Sequence, residues 1–586
     1  MFLRTVKVKR PDGRVDEYVR LVESVWNEGR PKHRVISNLG RKDLLAPHVD
    51  ALLRILKGEK ASAPKAARIG ALGAWDWGPT LVVRHLWREL GVEQILDRHT
   101  NREDRNVPDQ ALALVTNRLC APTSEHGIAR WLETDFVCNR RGERWLPEWR
   151  DDGERLASNR PRVRVKERQL KQWYRTLDWL KARKNEIEKE LFLRLRNLFS
   201  LKVDLVFYDL TSTYFEGHGP EPLAAHGHSR DGKPRNRQIL VGLVMIDGWP
   251  IAHHVFRGNL RDASTVKGVV EDIRERFGLN RVVFVGDRGM VTSDNIKLIR
   301  KNDQGYVVGL NRRRRPDVLR YIERATGPWL DCPVGITASE RTPAPKTLVQ
   351  EVKSDEPGVR VFVVQSDERL AYERVEREKC MSRVSAELEA LEKRVAAGKL
   401  KGAEKIGAAA ARILGRNHGQ RYYAWEYKDG RFRYFEHPTS FKSELAIEGK
   451  YLIQTEETNL SPVEAVAVYK DLSEVERAFS ALKDVIEMRP VFHKTPRRVE
   501  AHVFVASLAF LLHRALEKKL KAAKIDLSAT EALQILRTVR VVDIDLGNGE
   551  VKRSTTRGGA RAARILSALG IKELDPAPPK RGREAA

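Results

Sequence analysis

VDLVFYDL (203–210), QILVGLVMI (238–246), IAHHVF (251–256), RVVFVGD (281–287) and GYVVGL (305–310) decide the fold. Each is a short apolar run rich in β-branched residues and bounded by turn formers, so each reads as a strand. Asp247-Gly248 joins the second to the third and favours a tight hairpin. The fourth run is apolar enough for the centre of a sheet. Residues 262–278 and Ser293 to Lys301 carry helical patterning. The order is β-β-β-α-β-α-β, an α/β arrangement.

Outward from this block the pattern changes. Residues 1–57 form a β-rich segment, with a hairpin turn at Pro11-Asp12-Gly13. Residues 58–68 (GEKASAPKAAR) read as a linker. Residues 69–200 are mainly helical and basic, as expected of a DNA-binding domain. The α/β block covers 201–310. Residues 311–450 break the alternation with mixed strands and a charged, Ala-rich helical run, long enough for an inserted subdomain. KYLIQT opens a return to the core at 451–545. Residues 546–586 read as a basic, flexible tail.

The 586 residues carry Lys+Arg 107 against Asp+Glu 80, a formal charge of +27. That balance favours a polyanionic partner. Cys120, Cys138, Cys332 and Cys380 form no C-x-x-C pair, so neither a zinc ribbon nor a disulfide framework is indicated. MFLRTVKVKRPDG lacks the apolar stretch of a signal peptide. The longest apolar run, Val503 to Leu512, is too short to cross a bilayer and reads as a buried helix. The expectation is a cytoplasmic, nucleoid-associated protein with no membrane partner.

Asp209 closes the first strand and Asp287 the fourth. Carboxylates at strand ends point into the crevice where sites of open α/β sheets form. Either one alone reads equally well as a turn residue or helix cap. A third acid lies on the helix SPVEAVAVYKDLSEVERAFSALKDVIEMRP (461–490). Ser461, Pro462 and Glu464 mark its start as a capping box with proline at the first position. At about 100° per residue, Leu472, Val475, Phe479, Leu482 and Ile486 make a core stripe about 80° wide. Tyr469, Glu476 and Lys483, spaced by seven, fall on a second stripe at its shoulder.

Tyr469, Leu472, Glu476, Arg477 and Lys483, as Y-x2-L-x3-E-R-x5-K, resemble the Y-R-E-K signature of insertion-sequence transposases of the IS-four type. YDLTSTYFEG, the segment from SRDGKP to VFRGN, FVGDRGM and VERAFSALK…RPVFH resemble one branch of that group. The resemblance covers most of residues 200–515 and, more weakly, the N-terminal third, and departs at Leu472, where Arg is common. It implies a ribonuclease-H-like catalytic core, a mixed five-stranded sheet with flanking helices, carrying a large inserted subdomain. It also implies a catalytic and metal-binding triad of Asp209, Asp287 and Glu476.

Such a triad suits two Mg²⁺ ions, with Mn²⁺ as substitute, because hard ions prefer oxygen ligands. The expected partner is double-stranded DNA, as terminal repeats and as target. A homodimer is expected on paired ends. Tyr469, Arg477, Lys483 and Arg288 are the candidate DNA contacts. His226, His228, His253 and His254 are expected to be ordinary structural histidines. A nuclease that does not transpose, and a non-catalytic regulator derived from a transposase, are the alternative functions.

Overall fold

The structure is a computed structural model. It describes residues 2–9, 15–27, 30–42, 70–146, 149–155, 161–165, 167–201, 204–279, 282–286, 292–310, 317–332, 346–546 and 551–576. The chain forms two compact units. One comprises Met1–Glu89, Leu112–Trp173 and Leu512–Ala586, the other Leu90–Ala111 and Tyr174–Leu511.

Besides the antiparallel pair Trp149–Arg155 and Pro161–Val165, the first unit holds two three-stranded antiparallel sheets. Phe2–Lys9, Val15–Asn27 and Arg30–Arg41 form one. Gly70–Asp76, Arg540–Asp545 and Val551–Thr555 form the other, with Arg540–Asp545 in the middle. Residues 551–576 are therefore no flexible tail. The helix Ala560–Ala568 buries Ala562, Ile565 and Leu566, an apolar i, i+3, i+4 stripe that the surrounding basic residues disguise.

The second unit is built on nine strands: β1 Leu205–Tyr214, β2 Gln238–Ile246, β3 Trp249–Arg257, β4 Val283–Gly286, β5 Gly305–Gly309, β6 Leu330–Asp331, β7 Thr347–Val352, β8 Arg360–Ser366 and β9 Lys450–Thr455. Their order is β6-β7-β8-β9-β5-β4-β1-β2-β3. β4 runs parallel to both β1 and β5, and every other neighbour is antiparallel. Every residue of β2 is buried, as its unbroken apolar run requires. Asp247 and Gly248 both take positive φ, 49° and 70°, the turn that matches strand twist.

The expected five strands are the half β3-β2-β1-β4-β5. The sheet does not stop there. β9 pairs with β5, and β8, β7 and β6 follow outward. Pairing covers the backbone groups that an edge at β5 would expose. Part of the stretch expected as an insertion thus extends the main sheet. The remainder packs separately: helices α4 Asp367–Ala396 and α5 Ala403–Arg416 enclose Val384, Leu388, Ile406 and Leu414 with Phe432 of the hairpin Tyr423–Lys428/Arg431–Glu436.

Helices α1 Lys184–Phe199, α2 Asp262–Phe277 and α3 Ser293–Lys301 cover one face of the sheet. Their core includes Phe192, Val266, Ile273, Phe284, Ile296, Tyr306 and Val308. The run Val503–Leu512 lies in a 27-residue helix, Pro496–Ala522, long and apolar enough to cross a membrane. Its apolar window is 83% buried within the protein, as a core helix requires.

Candidate active site

Strand alternation places the first acid. Tyr208 and Leu210 of β1 enter the core shared with α2, and the Tyr208 hydroxyl donates to Thr265 Oγ1 at 2.9 Å. Asp209 lies between them and so points to the opposite face. It is half-buried, and its Oδ1 accepts from the Leu210 amide at 2.7 Å.

The same alternation locates the helix of the third acid. Tyr306 and Val308 of β5 face α2 and α3, so Gly309 faces away. A Cβ at Gly309 would lie 2.3 Å from the Tyr469 hydroxyl oxygen. Tyr469 therefore sits on the face to which Asp209 points. Glycine is needed at 309 because the phenol approaches the backbone directly.

That helix is not uniform. It consists of α6 Pro462–Lys470, α7 Ser473–Ser480 and a π turn Ala481–Val485. The capping box of Ser461 and Glu464 forms as expected. Between α6 and α7 the amides of Leu472, Glu474 and Val475 reach back three residues, to Tyr469, Asp471 and Leu472. Such a turn advances by about 120° per residue rather than 100°. Beyond α7 the Ile486 amide reaches back five residues to Ala481 at 3.0 Å.

The core stripe survives: Leu472, Val475, Phe479, Leu482 and Ile486 are all buried. The second stripe does not. Tyr469 packs over β5 with its ring 5.8 Å from that of Tyr451. Glu476 is exposed on α7, which packs against β1. Arg477 is exposed and paired with Glu474.

Lys483 turns elsewhere. Its Nζ donates to Asp231 Oδ1 at 2.7 Å, and Arg489 Nη1 donates to the same oxygen at 2.5 Å. The Asp231 side chain is 1% exposed and that of Lys483 11%. Lys483, expected at a DNA phosphate, joins the end of the helix to the loop between β1 and β2. Sequence reasoning missed Asp231 and Arg489. The available signal was the charged stretch Ser229 to Arg237 between two buried strands.

Asp287 and Arg288 lie outside the described residues. Before them, Gly286 of β4 pairs with Tyr208 of β1.

The adjacent histidines hold carboxylates. His253 Nδ1 lies 2.8 Å from Glu188 Oε1 and His254 Nε2 3.3 Å from Asp272 Oδ2. Burial, aided by the Lys184 charge, pushes His253 down to about 4. Burial alone would raise Glu188, but Lys184, His253 and Arg276 outweigh it and hold the carboxyl well below its usual range.

Two family models match. Residues 3–68 match the N-terminal domain of IS1634 family transposases, and residues 205–512 the transposase DDE domain. No curated protein matches. Among solved structures the chain is similar to the piggyBac transposase in a synaptic complex with hairpin DNA, determined by cryo-electron microscopy. Identity is 9% over 78% of this chain and 79% of that one, with a TM-score of 0.33. The DDE match spans more than half of the chain and includes β1, β4 and the helix of Glu476. The chain belongs to the DDE transposases of insertion sequences, enzymes that bind DNA and cut it with the help of divalent metal.

Proposed function

We propose that Asp209, Asp287 and Glu476 are the catalytic triad of an IS-four-type transposase with a ribonuclease-H-like core. One observation carries this reading: Asp209 and the helix bearing Glu476 share one face of the sheet. Asp287, the third member, follows β4, which pairs in parallel with β1 as far as Gly286 opposite Tyr208.

The donors fit a hard divalent ion. Asp209 and Glu476 offer only carboxylate oxygens, one half-buried on a rigid strand and one exposed to substrate. Two Mg²⁺ ions, replaceable by Mn²⁺, would stabilise charge on the attacking and leaving oxygens of the phosphodiester. The protein's part is to hold the carboxylates still. β1 does so through pairing on both sides, and α7 through Val475 and Phe479 in the core.

Arg288, Arg477 and Tyr469 are proposed to contact DNA near the cut. The N-terminal residues, to about 195, would bind the element's ends. Two ends are held by a homodimer, in the cytoplasm at the nucleoid.

The test is to incubate purified protein with the element's terminal DNA and Mg²⁺ and map the products. Cleavage at the element boundary and joining to a second duplex are expected. Cutting without joining would leave a nuclease. Full activity after exhaustive chelation would overturn the metal assignment.

A further inference from the structure

We infer that the two-stranded ribbon formed by residues 23–27 and 30–34 is an arm that enters a groove of double-stranded DNA. It rests on the proposed role of the N-terminal residues in binding element ends, and it identifies the part that makes contact.

Among the described residues the strand Phe2–Lys9 pairs with Val15–Asn27 as far as Phe2 opposite Val22. Beyond that pair the described residues form two strands: Glu23 opposite Arg34, Ser24 opposite His33, Val25 opposite Lys32, Trp26 opposite Pro31 and Asn27 opposite Arg30. The base is anchored. Val19 and Val22 are buried, and Lys552 Nζ donates to Leu39 O at 3.5 Å. Towards the tip burial is lost, and Trp26 is 79% exposed.

A ribbon this narrow gains little from its own burial. An exposed tryptophan at its end has no folding purpose, and large aromatics concentrate where binding occurs. Pairing sorts the other side chains by face. Arg30, Lys32 and Arg34 share one face with Glu23 and Val25. Glu23 pairs with Arg34 at 3.0 Å. Trp26, Ser24 and His33 share the other face, with His33 edge-on to Phe2 at 5.1 Å. Residues 28 and 29 lie outside the described residues.

Cations on one face and an indole on the other suit the two surfaces of a DNA groove. The phosphate wall attracts Arg30 and Lys32, whereas base edges and sugars offer Trp26 an apolar surface. The major groove is wide enough for a two-stranded ribbon. The occupant is duplex DNA rather than another protein, because the chain carries +27 overall and its family works on DNA.

The two faces make separable predictions for the full-length protein, assayed in EDTA. The probes are a duplex carrying the terminal repeat of the insertion sequence encoding the chain and a random duplex of equal length. Arg30→Ala/Lys32→Ala should weaken binding to both and lower the log–log salt slope by about two, near 0.9 for each lost phosphate contact. Trp26→Ala should leave the slope unchanged and reduce the preference for terminal DNA by about tenfold, the usual size of a base-edge contact. Unfolding midpoints should not move, because these side chains are exposed.

Unchanged affinity, slope and preference in both variants would overturn the arm. If such variants also cleaved terminal DNA normally with Mg²⁺, the transposase reading would stand without it. Failure of the unsubstituted protein to prefer terminal DNA would instead overturn the end-binding role on which the arm rests.

Discussion

Lys483 Nζ lies 2.7 Å from Asp231 Oδ1, joining two residues 252 positions apart. The pair ties the π turn after α7 to the loop between β1 and β2. An amine so placed belongs to the protein's own packing. Lys483→Ala should lower the unfolding midpoint by about 1–3 kcal/mol of stability, because a buried carboxylate loses one of its two cations. The salt slope of DNA binding should be nearly unchanged. A slope lower by about one, with an unaltered midpoint, would return Lys483 to a phosphate.

Gly309 and Tyr469 meet without room for a methyl group. Gly309→Ala would set Cβ 2.3 Å from the hydroxyl and 2.8 Å from Cζ. The helix must shift, and cleavage should fall by at least about tenfold, as active sites tolerate displacements of about 1 Å poorly. Adding Tyr469→Phe removes the closer clash and should recover part of the loss. Equal activity of Gly309→Ala and the unsubstituted protein would show that this approach does not set the position of Glu476.

Glu476→Gln separates binding from chemistry. Position 476 is exposed and outside the core stripe, and glutamine keeps the helix propensity. DNA binding and the unfolding midpoint should persist while cleavage and strand transfer collapse. Ca²⁺ should support binding but little cleavage in the unsubstituted protein. A variant that still cuts and joins normally would mean that another acid, Glu474 or Glu487 first, completes the triad.

His253 supplies a pH dependence. It faces Glu188 and Lys184, with Arg276 and His254 nearby. Burial, then the Lys184 charge, lowers it from 6.5 to about 4. A lowered folded value means that the unfolded chain takes up the proton first. The stability is complete above pH 6.5 and is lost as pH falls through 4, to the extent of about 3 kcal/mol. Chemical denaturation across that window should show the decline, and His253→Gln should flatten it. An unchanged pH profile in that variant would assign the acid sensitivity to other groups.

The sequence by itself determined whatever depends on near neighbours. The five apolar runs became β1 to β5 because burial of both faces demands unbroken hydrophobic stretches. Asp247-Gly248 made the hairpin and Ser461-Pro462-Glu464 the helix start, because turns and caps are closed within a few residues. The stripe from Leu472 to Ile486 identified its buried face, and the transposase motifs the chemistry. The tertiary structure decided what joins distant segments. β6 to β9 extend the sheet through backbone hydrogen bonds, which leave little trace in side-chain pattern. The tightened turn at Tyr469–Val475 and the π turn broke a stripe that assumed uniform helical rotation. Lys483 pairs with Asp231, 252 positions away, because helical spacing sets the direction in which a side chain leaves its helix but not the charge that it meets.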